Sequence, residues 1–336
     1  MPACHFAGLT RVLLTKRFFN VARFISSDGL VQTQLLNKKS AAARREKVAL
    51  NGAKTTVWNR WVWFGVWVFL CLLLFVRSLM SLVRLAFSND DISYVILIPF
   101  LSAWILFIER RKIFIGLSTD KELSGYILIL GVSTAAVSGS MGGGGLRLSG
   151  YILSLVLLWL AGFAFFFGRA ASKAGCFPLT FLFLMVPPPD FLLGRIVYLL
   201  QLGSTWITAA LFDLLHVPAL REGFVFHLAR VDIEVAKECS GIRSSMALLI
   251  LALLATHFAL KSPWKKALFL ACGLLMMILK NGIRIATLTL LAMYVDPGFL
   301  YGALHHRGGV VFFLIGLLLL VPVLLLLQRV ETKVVS

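Results

Sequence analysis

The chain has 336 residues, of which 59% are hydrophobic and 14% are charged, and its formal net charge is +18. Soluble domains are about half apolar and about a quarter charged, so this composition excludes an ordinary soluble fold. A soluble chain this basic would suggest a nucleic-acid partner, but here the basic residues lie in a tail and in short gaps between apolar runs. We therefore expect a membrane protein that binds no nucleic acid.

The first 57 residues are polar and basic and precede the first long apolar run. Residues 1–60 contain eleven Lys or Arg and two acidic residues, which accounts for half of the net charge. The segment 1–57 lacks an apolar run long enough for a signal peptide, and we interpret it as a disordered cytoplasmic tail before a transmembrane domain at 58–336. A mitochondrial transit peptide, or an upstream start codon, would produce a similar composition.

Eight apolar runs follow the tail, and together they predict an all-α integral membrane protein with about eight transmembrane helices. A spanning helix needs about 17 to 25 mostly apolar residues, which several runs supply. The fifth run is short and must borrow flanking residues to cross. The runs cover roughly 61–86, 93–108, 123–141, 150–168, 177–188, 240–259, 265–293 and 309–328.

The basic residues between the runs predict the orientation, because cytoplasmic loops carry an excess of Lys and Arg. If the tail is inside, the following basic segments are cytoplasmic as well: 109–112, 168–175, 261–266 and 329–333. Both termini then lie in the cytoplasm, and we expect a multi-pass inner-membrane protein. The periplasmic side receives the loops around 88–91, 142–150, 189–239 and 296–307.

The stretch 190–216 is ambiguous, since it is apolar enough to cross but carries a basic, an amide and an acidic residue. If it crossed, the basic segment 261–266 would lie outside. We therefore favour a helix that lies along the outer interface or re-enters the bilayer. The alternating residues 219–236, with the turn signal Arg-Glu-Gly at 221–223, predict a small extracytoplasmic hairpin or cap.

Cys239 is the candidate nucleophile among five cysteines. It lies where the outer segment becomes a helix, with Ser240 and Gly241 as candidate caps and Arg243 nearby. A helix N-terminus and a neighbouring cation favour the thiolate, which is the nucleophilic form. A buried structural cysteine is the alternative, and it is our interpretation of the cysteines inside apolar runs. No Cys or His cluster has metal-ligand spacing, so neither a metal nor another cofactor is expected.

Two further polar sites lie near the outer ends of apolar runs. Asn281 and Arg284 belong to the seventh helix, where Arg284 could hold a substrate carbonyl or stabilise an oxyanion. An interhelical salt bridge is the alternative for Arg284. His305 and His306 open the last helix, where a histidine is either a proton-transfer group or an interfacial residue. The predicted topology brings these residues and Cys239 to the same face of the membrane.

Three motifs, in this order, resemble those of the exosortase and archaeosortase family of membrane transpeptidases. They are Cys-Ser-Gly at 239–241, Asn-x-x-Arg at 281–284, and a histidine with a glycine four residues later, at His305 and Gly309. The resemblance covers about residues 90–328. It rests on the order of the motifs, since each of them alone is weak.

The resemblance implies a role for each motif. Cys239 is the expected nucleophile, Arg284 the expected stabiliser of substrate or oxyanion, and His305 the expected general acid or base. The neighbouring His306 is the alternative to His305. Other residues are expected to support these three or to bind substrate: Ser240, Gly241, Arg243, Asn281 and His306.

The resemblance also implies the substrate, an exported protein whose C-terminus carries a Pro-Glu-Pro-like motif, a transmembrane helix and a basic tail. The enzyme is expected to cleave this signal and release the protein, or transfer it to an acceptor such as an exopolysaccharide or a lipid. An intramembrane cysteine protease that only hydrolyses is one alternative. A non-enzymatic transporter or assembly factor for exopolysaccharide export is another, with the polar residues acting as contacts between helices.

Overall fold

The structure is a computed structural model that describes residues 58–229, 231–236, 242–300 and 309–335. The predicted tail, residues 1–57, lies outside the described residues. The described helices are α1 (Trp58–Leu74), α2 (Val76–Ser88), α3 (Leu97–Ile108), α4 (Arg110–Ile113), α5 (Lys121–Ser140), α6 (Gly145–Ala174), α7 (Cys176–Phe181), α8 (Asp190–Leu214), α9 (Ile242–Ala259), α10 (Pro263–Tyr294) and α11 (Gly309–Val335). Within these ranges seven helical segments are long and apolar enough to cross a membrane, or eight if α1 and α2 form one span. Six of the seven are α5, α6, α8, α9, α10 and α11, and the seventh is Asp91–Ile108, in which a 3-10 helix (Asp90–Ile96) leads into α3. The expected all-α integral membrane fold is confirmed.

The first apolar run forms two helices, because the chain bends by 73° between α1 and α2. Phe75 lies at the bend and is buried, and the bend contains neither glycine nor proline. α2 is amphipathic, since Leu82 and Ala86 are buried whereas Arg77 and Arg84 are exposed. This pattern is typical of a helix that lies at the membrane interface.

Small residues and buried serines make the contact between α5 and α6. Ser124 donates a hydrogen bond to the backbone oxygen of Ala161 over 2.9 Å, and Ser154 donates one to that of Gly131 over 2.7 Å. A Cβ atom at Gly131 would lie 3.2 Å from the Leu158 side chain, so this glycine lets the helices approach closely. Such contacts are common between helices inside membranes.

The predicted fifth run corresponds to residues 176–189, which lie alongside α6. Gly175 donates a backbone hydrogen bond to Ala171 near the end of α6, and Ser149 near its beginning donates one to the backbone oxygen of Pro187 over 2.7 Å. α6 is interrupted at Gly168, where φ is 84° and the backbone is not helical. Residues 176–189 run beside α6 with fewer residues because they combine α7 with a 3-10 turn (Leu182–Met185) and extended backbone, which rise ~2.0 and ~3.3 Å per residue rather than ~1.5 Å.

A three-stranded antiparallel sheet packs along α8. Its strands are β1 (Ala219–Glu222), β2 (Val225–Leu228) and β3 (Asp232–Glu234), in that order. The rings of Tyr198 and Phe224 are 5.8 Å apart, and those of Phe212 and Phe226 are 5.4 Å apart. Gly223 has the positive φ, 61°, that an ordinary L-residue rarely adopts, and it lies in the β1–β2 turn. The predicted hairpin is therefore confirmed, with a third strand added.

The contacts of α8 bear on its relation to the membrane. α8 has 25 residues and is long and apolar enough to cross. However, the sheet contacts it from Tyr198 to Phe212, over more than half of its length. The same part of α8 also packs along α10, where a Cβ atom at Gly203 would lie 2.7 Å from Ile278. The position of α8 along the interface is therefore still a prediction.

Two carboxylates join helix ends elsewhere in the bundle. Glu109, which follows α3, lies 3.1 Å from Nε2 of His257 near the end of α9, and the imidazole stacks on the Phe177 ring at 3.8 Å. Glu331 of α11 accepts backbone hydrogen bonds at the start of α10, including one of 2.7 Å from Ser262. These bonds tie together the ends that the charge distribution assigns to the cytoplasm.

Candidate active site

The Asn-x-x-Arg motif lies within α10, a helix of 32 residues. Lys280 directly precedes the motif and is only 2% exposed, and Asn281 is 1% exposed. Arg284 is partly buried and lies one turn after Lys280, so the two cations share a face of the helix. Buried charges in a membrane helix are costly and are usually functional. This face of α10 is therefore the leading candidate for chemistry within the described chain.

Asn281 is held by α8 at a place where the two helices approach closely. Its side-chain amide donates a hydrogen bond to Ser204 Oγ over 3.0 Å, and Thr208 Oγ1 lies 3.2 Å from the backbone oxygen of Gly282. A Cβ atom at Gly282 would lie 2.5 Å from Cγ2 of Ile207, so only glycine fits without a shift of α8. The position of the motif thus depends on the α8–α10 contact.

Lys280 lies among α9, α10 and α11. Its ammonium group donates a hydrogen bond to Ser244 Oγ, and a Cβ atom at Gly316 of α11 would lie 3.4 Å from Lys280 Cδ. Across the described ranges no carboxylate lies within ion-pair distance of this ammonium group. Lys280 is absent from the residues predicted from the sequence, although a lysine in the middle of a long apolar run is itself a signal of function.

The segment that leads to Cys239 is attached to α8 and to the sheet. Gln201 Nε2 donates a hydrogen bond to the backbone oxygen of Val235 over 2.8 Å, and both residues are buried. The backbone nitrogen of Val235 donates to Phe224 over 2.9 Å. α9 then begins at Ile242, which is also buried. The described chain is therefore fixed on both sides of residues 237–241.

The structure describes three of the predicted site residues. Asn281 and Arg284 lie in α10, and Arg243 is exposed in the first turn of α9. The others lie outside the described residues: Cys239, Ser240, Gly241, His305 and His306. The proximity of Cys239, Arg284 and His305 is thus still a prediction.

The cysteines inside apolar runs have the predicted structural character. Cys71 is 5% exposed and belongs to an apolar cluster that includes Phe75. Cys272 is partly buried and packs against a second cluster, around Phe269. Neither lies at a helix N-terminus, so neither has the environment that favours a thiolate.

One comparison with known proteins gives a match. The family model described as transmembrane exosortase matches residues 84–322, which is well over half of the chain. The match includes all three motifs and excludes the basic tail. No curated protein and no solved structure matches the chain.

Proposed function

Because the chain belongs to the transmembrane exosortase family, we propose that it is a membrane-embedded cysteine transpeptidase that forms a thioester on Cys239. The proposed substrates are exported proteins with a C-terminal signal made of a Pro-Glu-Pro-like motif, a transmembrane helix and a basic tail. The observation that carries the proposal is the order of three motifs within residues 84–322, the second of which lies in the buried, cationic part of α10.

In the first half-reaction, the Cys239 thiolate attacks the scissile carbonyl carbon. A C–S bond forms, and the carbonyl electron pair moves onto oxygen, where Arg284 stabilises the negative charge. When the oxyanion collapses, the C–N bond breaks and His305 donates a proton to the leaving amine. The transmembrane helix and basic tail depart, and the exported protein remains as a thioester.

In the second half-reaction, an acceptor attacks the thioester carbonyl and His305 removes the acceptor's proton. The new bond forms, the C–S bond breaks, and the Cys239 thiolate is restored. Water as acceptor gives hydrolysis, whereas an amine or hydroxyl on an exopolysaccharide or lipid gives transfer. Both outcomes use the same residues.

The buried cation on α10 supports this chemistry. Lys280 lies one turn before Arg284, and both raise the electrostatic potential on one face of the helix. A positive potential stabilises the two anions that the mechanism needs, the thiolate and the oxyanion. The two like charges repel each other, so an arriving anion also relieves a repulsion.

The packing of α9 on α10 supports the assignment of Cys239 as the partner of Arg284. Ser244 contacts Lys280, and Ala252 lies 3.5 Å from a Cβ atom built at Gly273, so the two helices run antiparallel. One turn further along α10 is Arg284. Cys239 precedes α9 by three residues in the sequence. We therefore propose that the nucleophile and the arginine act on the same carbonyl.

The proposed location is the bacterial inner membrane, with both termini in the cytoplasm and the active site facing the periplasm. The excess of basic residues in alternate loops supports this orientation. A sorting signal whose basic tail stays inside would then present its cleavage motif on the periplasmic side, close to the proposed site.

The test is a processing assay in cells that carry a tagged reporter with a C-terminal sorting signal. Cys239→Ala is expected to leave the reporter unprocessed while the protein still inserts into the membrane. Cys272→Ala is the matched control, since this cysteine lies in an apolar run, and it should process normally. Normal processing by Cys239→Ala would refute the proposal that the protein is a cysteine transpeptidase and would favour an assembly factor or transporter.

A further inference from the structure

A cavity of about 690 Å³ lies between the α1–α2 bend, the second half of α5 and the beginning of α6. This volume is in the range of small-molecule sites, roughly 300 to 1,000 Å³. One part of its wall is apolar and includes Leu74, Phe75 and Ala135. Its lining includes none of the polar side chains that surround Lys280, so it is a separate site.

Two arginines define the polar part of the cavity. Arg77 follows directly on the bend, and Arg147 lies in the first turn of α6, with its guanidinium carbon 5.7 Å from the centre of the Tyr151 ring. Both arginines are exposed, and among the residues that the structure describes no carboxylate lies within ion-pair distance of either. Asp190 lies beside Gly145 at the start of α6 instead.

The neighbouring groups leave space for a ligand between these cations. Two serines of α2, Ser78 and Ser81, line the same cavity and add hydroxyl groups to its polar part. Gly143 and Gly144 form part of the wall, and a Cβ atom at either would meet nothing within 4 Å. The cavity is therefore open to the surface next to two guanidinium groups.

The combination of charges and apolar wall identifies the ligand class. Arginine binds phosphate through paired, charge-assisted hydrogen bonds and is the usual residue for phosphate recognition. A free phosphate ion would need only the cationic part of the cavity, whereas Leu74, Phe75 and Ala135 provide a surface for hydrocarbon. Leu74 is 75% exposed and lies next to the bend, where lipid chains can contact it.

We propose that this cavity binds an anionic phospholipid, with the phosphate between Arg77 and Arg147 and the hydrocarbon chains against the apolar wall. Because α5 and α6 are joined beside it, the cavity lies at the α5–α6 loop side of the membrane, which is the periplasmic side in the orientation given above. The site does not depend on the peptidase chemistry, so each can fail without the other.

The test uses the full-length chain purified in detergent and measured by native mass spectrometry with added lipid. The probes are dioleoyl phosphatidylglycerol, inorganic phosphate, and zwitterionic dioleoyl phosphatidylcholine, whose headgroup has no net negative charge. Phosphatidylcholine should be retained less than phosphatidylglycerol, and equal retention of the two lipids would overturn the proposal. The wild type should retain phosphatidylglycerol adducts at least about tenfold more than the double variant Arg77→Gln/Arg147→Gln. Arg84→Gln is the matched control, since Arg84 is an exposed arginine of the same helix outside the cavity, and it should behave like the wild type.

A second variant tests the apolar wall without changing any charge. Ala135→Trp should fill the cavity from α5 and also displace phosphatidylglycerol, while gel filtration shows that the protein stays monodisperse. If Arg84→Gln loses as much phosphatidylglycerol as the double variant, basic residues anywhere on the surface attract the lipid, and the proposal is overturned. Displacement of phosphatidylglycerol by millimolar inorganic phosphate would identify a free-anion site instead, and unchanged adducts in the double variant would eliminate the site.

Discussion

The ammonium group of Lys280 donates a hydrogen bond to the hydroxyl of Ser244 in the interior of the helix bundle. Ser244 lies in the first turn of α9, shortly after Cys239, and Lys280 lies one turn before Arg284 on α10. The bond thus connects the helix that follows the proposed nucleophile with the helix that carries the proposed oxyanion stabiliser. It also holds a cation at a depth where charge is costly.

Replacement of Lys280 by methionine should lower the processing rate at least tenfold, which corresponds to about 1.4 kcal/mol in the activation free energy. The substitution removes the positive charge one turn before Arg284 but keeps the length of the side chain. The folded protein should be no less stable, because a buried charge without an anionic partner contributes little to stability. Reporter cleavage and thermal unfolding in detergent measure the two effects.

The control variant Lys121→Met, which changes an exposed lysine at the start of α5, should process the reporter normally. Full activity in Lys280→Met would contradict the proposed role.

Gly282→Ala should destabilise the protein by about 1 to 3 kcal/mol, as expected for overpacking at a close contact. The added Cβ atom would lie 2.5 Å from Ile207 Cγ2, so α8 and Asn281 must shift. The double variant Gly282→Ala/Ile207→Gly should recover part of the loss, since the second change removes both clashing atoms, Cγ2 at 2.5 Å and Cβ at 2.6 Å. Gly194→Ala is the matched control on α8, because its Cβ atom meets nothing within 4 Å. Thermal unfolding measures each variant, and additive effects in the double variant would argue against the contact.

Gln201→Leu should release residues 231–236, which precede Cys239 in the sequence, from α8. The substitution removes the 2.8 Å bond to the Val235 carbonyl and leaves that buried oxygen without its partner, at a cost of about 1 to 3 kcal/mol. Amide hydrogen exchange in β2 and β3 should become faster, and reporter processing should fall together with it. Unchanged exchange at residues 225–235 would show that the bond does not hold the segment.

Glu109→Gln should reduce thermal stability without changing the rate of processing at low temperature. The His257–Glu109 pair is mostly buried, with side-chain exposures of 16% and 15%, and its loss should cost about 1 to 2 kcal/mol. Lys112→Gln is the control, since Lys112 is 82% exposed and its 4.0 Å contact with Glu109 is worth little. A large loss of processing at permissive temperature would mean that the His257–Glu109 contact affects the catalytic residues and not only the stability of the fold.

The orientation predicts which introduced cysteines react with an impermeant thiol reagent. Gly142→Cys should be labelled in intact spheroplasts, because Gly142 is exposed in the loop between α5 and α6 and its Cβ atom meets nothing within 4 Å. Lys112→Cys should be labelled only after the membrane is permeabilised. The reverse pattern would invert the proposed topology and move the candidate site to the cytoplasm.

Much of the fold follows from the sequence, because apolar runs of sufficient length must be helical inside a membrane. The hairpin at Gly223 was predictable for a similar local reason, its turn composition. The 73° bend at Phe75 was not, since it contains no proline or glycine and depends on burial of that ring against other helices. The path of residues 176–189 was predicted only as a short span, because its 3-10 and extended parts depend on bonds such as that from Ser149 to Pro187.

In the candidate site, too, some features were predictable from the sequence and others were not. Arg284 was identified because an arginine inside an apolar run is costly, and Lys280 in the same run carried an equal signal that the motif obscured. The partners of this cluster, Ser204 and Ser244, could not be predicted, since they lie on other helices and serine is common in membrane segments. Gln201 was noted as a polar residue, but its role depends on where the sheet packs.

The most direct test of the central claim is capture of the thioester itself. Purified enzyme is mixed with a peptide that carries the sorting signal, quenched in acid, digested and analysed by mass spectrometry, with hydroxylamine added to a parallel sample. We predict that the N-terminal product is attached to Cys239 and is released by hydroxylamine as a hydroxamate, and that Cys239→Ala forms neither species. Cleavage of the peptide without an adduct, or with an adduct on another residue, would contradict the account.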